Sequence, residues 1–151
     1  MPKICIDADG CPVVSETIQI AKEFQLEVII FCDTSHHFEI EGVRTVIVSK
    51  GADAVDFALV NQIHKGDITI TQDYGLAAMV LARGANVINQ NGMQYTAKNI
   101  DQLLYSRHLN QKIRQAGGRT KGPKKRTKES NDKFITNFRK LCEQVIQNNN
   151  H

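Results

Sequence analysis

Short apolar runs alternate with amphipathic stretches over the first 90 residues of the chain. Five of the runs are predicted to be β-strands, at 3–7 (KICID), 27–32 (EVIIFC), 44–48 (RTVIV), 67–71 (DITIT) and 86–89 (NVIN). Helical spacing of apolar residues lies between them, at 13–24, 52–64 and 74–83. Strands that are apolar on both faces and separated by helices indicate a parallel sheet covered on both sides. The pattern therefore predicts a doubly wound α/β domain with a parallel sheet of about five strands.

The end of the chain has a different organisation. A helical pattern at 99–115 leads into a stretch rich in glycine and positive charge, which predicts a basic flexible linker over 117–130 after an α/β domain over 1–116. A C-terminal amphipathic helix is predicted over 131–148, with an apolar stripe formed by Phe134, Phe138, Leu141 and Val145. A lone helix of this length is unstable in water, so we expect it to dock on its own domain or on a partner chain. A homodimer through this helix is one form of that expectation.

Charge is strongly segregated along the chain. Residues 1–106 contain 7 Lys or Arg against 13 Asp or Glu, a net charge of −6, whereas residues 107–128 contain nine Lys or Arg and no acid. The carboxylates of residues 1–106 suit a metal site, and the cations of residues 107–128 suit binding to a phosphate polymer. The plainer alternative for the cationic segment is that it is solvated and has no partner. The candidates for nucleic-acid binding are Arg119, Lys121, Lys124, Lys125, Arg126 and Lys128.

Composition narrows the class of protein further. The chain has no tryptophan, which argues against broad base-stacking platforms. No apolar run approaches the length of a membrane span and no signal-peptide pattern is present, so we expect a cytoplasmic protein without a membrane partner. The four cysteines show no CxxC spacing, and Cys5 and Cys32 lie in predicted strands as small core residues.

Several carboxylates are predicted to meet at one edge of the sheet, because ligands of open parallel sheets bind beyond the carboxyl ends of the strands. Asp7 ends the first strand, Asp9 follows it, Asp73 follows the fourth strand, and Asp53 and Asp56 begin the helix after the third. If the first and fourth strands are neighbours, Asp7 and Asp73 face each other across a gap suited to Mg²⁺ or Mn²⁺. The metal-ligand candidates are Asp7, Asp53, Asp56 and Asp73, and the catalytic candidates are Asp7, Asp9, Asp56 and Asp73.

These residues also have ordinary structural interpretations. Asp53 and Asp73 each precede a helix and could act as its N-cap, and Asp9 precedes a glycine in a turn-forming pair. Ser35, His36 and His37 follow the second strand, either as a solvated loop or as a contact to substrate near the same sheet edge.

Four segments carry a resemblance to a known family: ICIDADGCP from residue 4, DTSHH from 33, GADAVD from 51 and TITQDYGL from 69. With them the chain resembles the YaiI/YqxD family of uncharacterised bacterial proteins, and through it, more remotely, the PIN-like and NYN-like nucleases. The resemblance implies an α/β fold, metal-dependent cleavage of RNA or DNA, and acids at Asp7, at Asp56 with Asp53 nearby, and at Asp73. A further acid of those nucleases, often found around the fifth strand, is missing, and Asn89 and Asn91 stand there.

The leading hypothesis is divalent-metal-dependent phosphodiester hydrolysis of nucleic acid, RNA rather than DNA, by an acidic cluster at the sheet edge. One alternative is a non-catalytic nucleic-acid-binding protein with a relic acidic pocket. Another is a phosphatase, because the apolar-Asp-x-Asp-Gly pattern resembles the haloacid-dehalogenase motif, in which Asp7 would be the nucleophile and Asp9 the acid/base.

Overall fold

The computed structural model describes residues 1–36, 38–51, 53–119 and 125–150. Its elements, in chain order, are β1 (Lys3–Asp7), α1 (Val14–Glu23), β2 (Glu27–Asp33), β3 (Arg44–Val48), α2 (Ala54–Gln62), β4 (Ile68–Ile70), α3 (Tyr74–Ala82), β5 (Asn86–Ile88), β6 (Gln94–Tyr95), α4 (Ala97–Gln115) and α5 (Lys128–Asn149). The strands form one sheet in the order β3-β2-β1-β4-β5-β6. The first five are parallel, and β6 runs antiparallel to β5.

The predicted α/β fold and the five predicted strands are confirmed, and β1 and β4 are neighbours as expected. The sheet nevertheless has six strands, because β6 adds a short antiparallel edge. The two residues of β6 are too few to produce a periodic pattern. Its position depends instead on a tight return from β5, in which the amide of Asn89 donates to the carbonyl of Met93 at 2.9 Å.

Helices cover both faces of the sheet, and strand alternation determines which residues face which helices. Ile4 and Ile6 of β1 point into a cluster with α1 and α5. Cys5, between them, points into the opposite cluster with α2, α3 and α4. The protein therefore has two apolar layers, one on each side of a central sheet.

The C-terminal helix docks on its own domain. Its predicted stripe is buried against α1 and the sheet, and the rings of Phe134 and Phe138 stack with centroids 5.2 Å apart. Arg139 of α5 also contacts Glu23 at the end of α1 at 2.9 Å. The expectation of a homodimer through this helix loses its basis, because the apolar face that suggested it is covered within the chain.

Only part of the predicted linker over 117–130 lies within the described residues. Residues 120–124, which include Lys121 and Lys124, lie outside the described residues, as does His37. The helix begins at Lys128 and not at 131, because Thr127 caps it by accepting a hydrogen bond from the Ser130 amide at 3.3 Å.

In the described part of the chain, no helix is both long and apolar enough to cross a bilayer. Cys5 and Cys32 are buried core residues, as predicted. Burial raises the pKa of Cys11 to about 11, so its thiol is a weak nucleophile at neutral pH.

Candidate functional site

The candidate site lies where the sheet topology reverses direction. From β1 the chain proceeds to β2 on one side, and from β4 it proceeds to β5 on the other. This reversal opens a crevice beyond the carboxyl ends of the two central strands, the place where open α/β sheets bind ligands. Since Ile6 pairs with Ile70, Asp7 and Thr71 emerge side by side into this crevice.

A threonine hydroxyl connects the two predicted acids. Asp7 lies two residues after Cys5 and so emerges on the face that carries α2 and α3. The Thr71 hydroxyl donates to Asp7 Oδ2 at 2.7 Å, and its oxygen accepts the Asp73 backbone N–H at 3.0 Å. Thr71 itself is buried. The ends of β1 and β4 are thus joined by a chain of hydrogen bonds through a single side chain.

Burial and negative neighbours raise the pKa of Asp7 to about 6. Removal from water is the largest cause, the Thr71 hydrogen bond opposes it, and the charges of Asp56, Asp73 and Asp9 raise the pKa further. Ionising all of these carboxylates together is therefore unfavourable, because their negative charges repel one another.

The acids of α2 differ in their surroundings. Burial, followed by the charges of Asp73 and Asp53, raises the pKa of Asp56 to about 6, which associates this carboxylate with the same cluster. Asp53 is exposed and occupies the N-cap position with a left-handed φ of 67°, but its side chain accepts no cap hydrogen bond. The capping interpretation of Asp53 is therefore wrong, and Asp56 is the acid of α2 nearer to the core of the site.

Asp73 does cap its helix. Its Oδ1 accepts the amides of Gly75 at 2.8 Å and Leu76 at 3.2 Å at the start of α3. The same oxygen lies 4.0 Å from a guanidinium nitrogen of Arg107. The cap fixes the orientation of this carboxylate at the crevice, so the structural and the ligand interpretations of Asp73 are compatible.

Asp9 and the loop after β2 form a second polar group at the rim. Asp9 Oδ2 accepts the Asp33 amide at 3.1 Å, and Asp9 Oδ1 lies 2.7 Å from His36 Nδ1. The Ser35 hydroxyl donates to Asp33, and the Ser35 amide donates to the same oxygen, which lowers the pKa of Asp33. Of the predicted substrate-contact residues, His36 is thus held against Asp9, and Ser35 is held against Asp33.

Two groups of side chains at this edge could bind a cation, and they differ in how close their ligand atoms lie to one another. Among the residues that the structure describes, Asp9, Asp33 and His36 bring three potential metal-ligand atoms within 4.8 Å of one another. Asp7, Asp56 and Asp73 are not as tightly gathered. Asp7, Asp56 and Asp73 offer carboxylate oxygens, the ligand type that Mg²⁺ prefers.

An open pocket with a volume of about 500 Å³ covers this edge of the sheet. It is lined by Asp7, Asp9, Gly10, Gln72, Asp73, Tyr74 and Arg107. Arg107 had not been predicted as a site residue, although it begins the cationic run of the sequence. It places a positive charge opposite the carboxylates because α4 packs against α3.

The predicted nucleic-acid contacts have diverse surroundings. Arg119, Lys125 and Lys128 are exposed. Arg126 is engaged within the protein, donating to Asn131 Oδ1 at 2.7 Å, Asn91 Oδ1 at 2.8 Å and the Gln90 carbonyl at 2.8 Å. This guanidinium fastens the start of α5 to the turn after β5.

Asn89 stands where the PIN-like and NYN-like nucleases often have a further acid, and it has a structural role in this protein. Asn89 follows β5, and its Oδ1 accepts the amides of Asn91 and Met93, both at 2.9 Å. It also hydrogen-bonds buried Tyr95, whose pKa is raised above its ordinary value chiefly by burial. The amide at this position shapes the turn and adds no charge to the acidic pocket.

The fold and site define a doubly wound α/β protein with a carboxylate pocket at its topological switch point. The chain belongs to the family described as "Uncharacterized BCR, YaiI/YqxD family", whose model matches residues 5–144. The resemblance stated from the sequence is therefore confirmed at the level of the family.

Curated relatives from several bacteria match nearly the whole chain. A UPF0178 protein of Exiguobacterium sibiricum is 54% identical over 139 residues, covering 92% of this chain and 95% of the relative. A UPF0178 protein of Clostridium acetobutylicum is 47% identical over 141 residues, covering 92% and 95%. A UPF0178 protein of Natranaerobius thermophilus is 43% identical over 145 residues, covering 95% of both chains. No solved structure matches this chain.

Proposed function

We propose that this protein hydrolyses phosphodiester bonds of nucleic acid, with RNA as the substrate, by means of Mg²⁺ or Mn²⁺ held in the acidic pocket. One observation carries the proposal. Asp7 is a partly buried carboxylate that ends a central strand, and burial together with three neighbouring acids raises its pKa. A folded chain tolerates such a cluster at neutral pH when a cation compensates the charges.

The donor set fits the proposed cation. Asp7, Asp56 and Asp73 supply hard carboxylate oxygens, and exposed Asp53 stands beside them at the start of α2. When bound there, a divalent cation polarises the phosphodiester and lowers the pKa of a coordinated water. The Thr71 hydroxyl holds Asp7 Oδ2, and the amides of Gly75 and Leu76 hold Asp73 Oδ1, so both carboxylates are oriented by the protein itself.

Two other side chains have roles in this proposal. Arg107 reaches the pocket from α4 and presents a guanidinium suited to a phosphate oxygen. Asp9 supplies a carboxylate at the rim, held by His36 and the Asp33 amide, that is able to accept a proton from an attacking water.

The resemblance to PIN-like and NYN-like nucleases supports the same chemistry. Asp7, Asp56 and Asp73 are the positions matched to the acids of those enzymes, and the pKa values of Asp7 and Asp56 both reflect the charge of Asp73. The amide at Asn89 distinguishes this chain from the fuller acidic set. We therefore propose a site with fewer carboxylates than those of the nucleases.

Cleavage of end-labelled single-stranded RNA with Mn²⁺, and of the matching DNA, tests the proposal. We expect RNA to be cut in the presence of Mn²⁺ and to remain intact with EDTA. Asp7→Asn should reduce the rate by at least about a hundredfold, since it removes an acid central to the site. Asp101→Asn, which changes an exposed acid of α4, is the matched control and should retain the wild-type rate.

The outcomes separate the alternatives. Binding of RNA without cleavage at any metal concentration would contradict hydrolysis and favour the non-catalytic nucleic-acid-binding protein. Release of phosphate from a phosphomonoester through a trapped aspartyl-phosphate at Asp7 would instead identify the phosphatase.

A further inference from the structure

A second groove continues directly from the acidic pocket toward the start of α5. It has a volume of about 830 Å³ and shares Gly10 and Gln72 with the acidic pocket. Where the two meet, the Gln72 side-chain amide donates to the Gly10 carbonyl at 2.9 Å. We call this second space the α5 groove; it is open at the same surface as the acidic pocket.

The α5 groove has the chemistry of an anion site. Lys125 and Lys133 line it as exposed cations, and Thr127 and Ser130 add hydroxyl groups that lie 3.2 Å apart. Its carboxylate, Glu129, approaches Lys133 at 3.8 Å. The amide end of the 22-residue α5 forms the same wall and adds a partial positive charge.

The wall of the groove is held in place before any ligand binds. The guanidinium of Arg126 bonds to Asn131 of α5 and to Asn91 and Gln90 of the turn after β5. Its positive charge remains in the groove wall, fixed by these three contacts. Arg126 therefore loses little conformational entropy when a phosphate binds beside it.

We infer that the α5 groove binds the sugar–phosphate backbone of a nucleic-acid strand next to the phosphodiester in the acidic pocket. The inference deepens the proposed function and rests on it. The two spaces have opposite charge and a common boundary, so a strand that crosses Gly10 and Gln72 presents one phosphate to the carboxylates and flanking phosphates to Lys125 and Lys133. The substrate is therefore an oligonucleotide that spans both spaces, and not a mononucleotide.

A charge-matched pair of double variants tests this assignment. Lys125→Ala with Lys133→Ala removes the two flexible cations of the groove, and Lys65→Ala with Lys98→Ala removes two exposed lysines elsewhere. Binding of labelled single-stranded RNA is measured by fluorescence anisotropy in EDTA over a range of salt concentrations. Hydrolysis of bis(4-nitrophenyl) phosphate with Mn²⁺ is measured in parallel, since this small diester reaches only the acidic pocket.

We expect the groove variant to bind RNA about tenfold more weakly, and its log–log salt slope to fall by about 1.4, at roughly 0.7 for each lost phosphate contact on a single strand. The control variant should keep the wild-type slope, and both variants should hydrolyse the small diester at the wild-type rate. An unchanged slope in the groove variant, an equal loss in the control, or no RNA binding by the wild type would overturn the assignment. If the wild type binds RNA through the groove but hydrolyses neither the small diester nor RNA, the groove assignment stands and the proposed function is contradicted.

Discussion

Thr71 donates its hydroxyl hydrogen to Asp7 Oδ2 at 2.7 Å, and this bond joins the ends of the two central strands. The same hydroxyl oxygen accepts the backbone N–H of Asp73. Burial and three neighbouring acids raise the pKa of Asp7, and the hydrogen bond from Thr71 partly offsets the increase. Thr71 therefore favours the ionised form of a carboxylate whose ionisation is opposed by burial and by its acidic neighbours.

Replacing Thr71 with Val keeps the shape of the side chain and removes the hydroxyl. We expect the pKa of Asp7 to rise above its value of about 6 by roughly one to two units, since a hydrogen bond to a charged group is worth about 1.5–3 kcal/mol. The carboxyl ¹³C chemical shift of Asp7, followed by NMR over a pH titration, measures this directly. Thr71→Ser retains a hydroxyl and should keep the wild-type value; an unchanged pKa in the Val variant would refute the role of the bond.

Asp7→Asn should stabilise the metal-free protein in a pH-dependent way. The pKa of Asp7 is 3.8 in its ordinary state and about 6 in the fold, so stability from this group is complete below 3.8 and is lost as pH rises through 6. The variant should gain on the order of 1–3 kcal/mol in free energy of unfolding at about pH 8 and little near pH 4. Urea unfolding in EDTA at both pH values checks this, with Asp101→Asn as the control. A gain that does not depend on pH would show that the carboxylate charge is not its cause.

Arg126 should behave as a structural residue and not as a simple phosphate contact. Arg126→Ala removes three hydrogen bonds between α5 and the turn after β5, and should lower the free energy of unfolding by about 1–3 kcal/mol. Arg119→Ala, at an exposed position, should change it by less than about 0.5 kcal/mol. Denaturant unfolding compares the two. Equal stability of both variants would mean that the Arg126 contacts do not form in solution.

Phe138 tests the docking of α5 on its own domain. Phe138→Ala opens a cavity in the core between α5, α1 and the sheet, and should cost about 3–5 kcal/mol. Phe57→Ala, at a side chain that is 60% exposed, is the matched control and should cost much less. Chemical unfolding provides the comparison. A small effect at Phe138 would place α5 away from the core and restore the partner-chain alternative.

The strand bounds and the position of Asp7 at a strand end could be predicted because their signal is local. Asp7 ends an apolar run, and an acid after a buried parallel strand must emerge at the edge where ligands bind. Each predicted strand therefore begins and ends within one residue of its observed bounds. The apolar pattern of a strand is enough to show where the strand ends, and so which residue lies at the edge of the sheet.

The remaining features depend on contacts between distant parts of the chain. Arg107 reaches Asp73 only because α4 packs across α3, and nothing in its own sequence neighbourhood distinguishes it from the other cations of the basic run. Arg126 likewise has the sequence context of a phosphate contact, yet the turn after β5 supplies its partners. Cation side chains acquire their roles from tertiary geometry, which residue spacing does not encode.

The most direct test of the central claim is calorimetric titration of Mn²⁺ into the wild type, Asp7→Asn and Asp101→Asn near neutral pH. If the carboxylates at the switch point form a cation site, the wild type and Asp101→Asn should bind Mn²⁺ with the same affinity. Asp7→Asn should bind it at least about tenfold more weakly, because it removes a charged oxygen donor from the cluster. Equal Mn²⁺ affinity in all three proteins, or no binding by the wild type, would contradict the account.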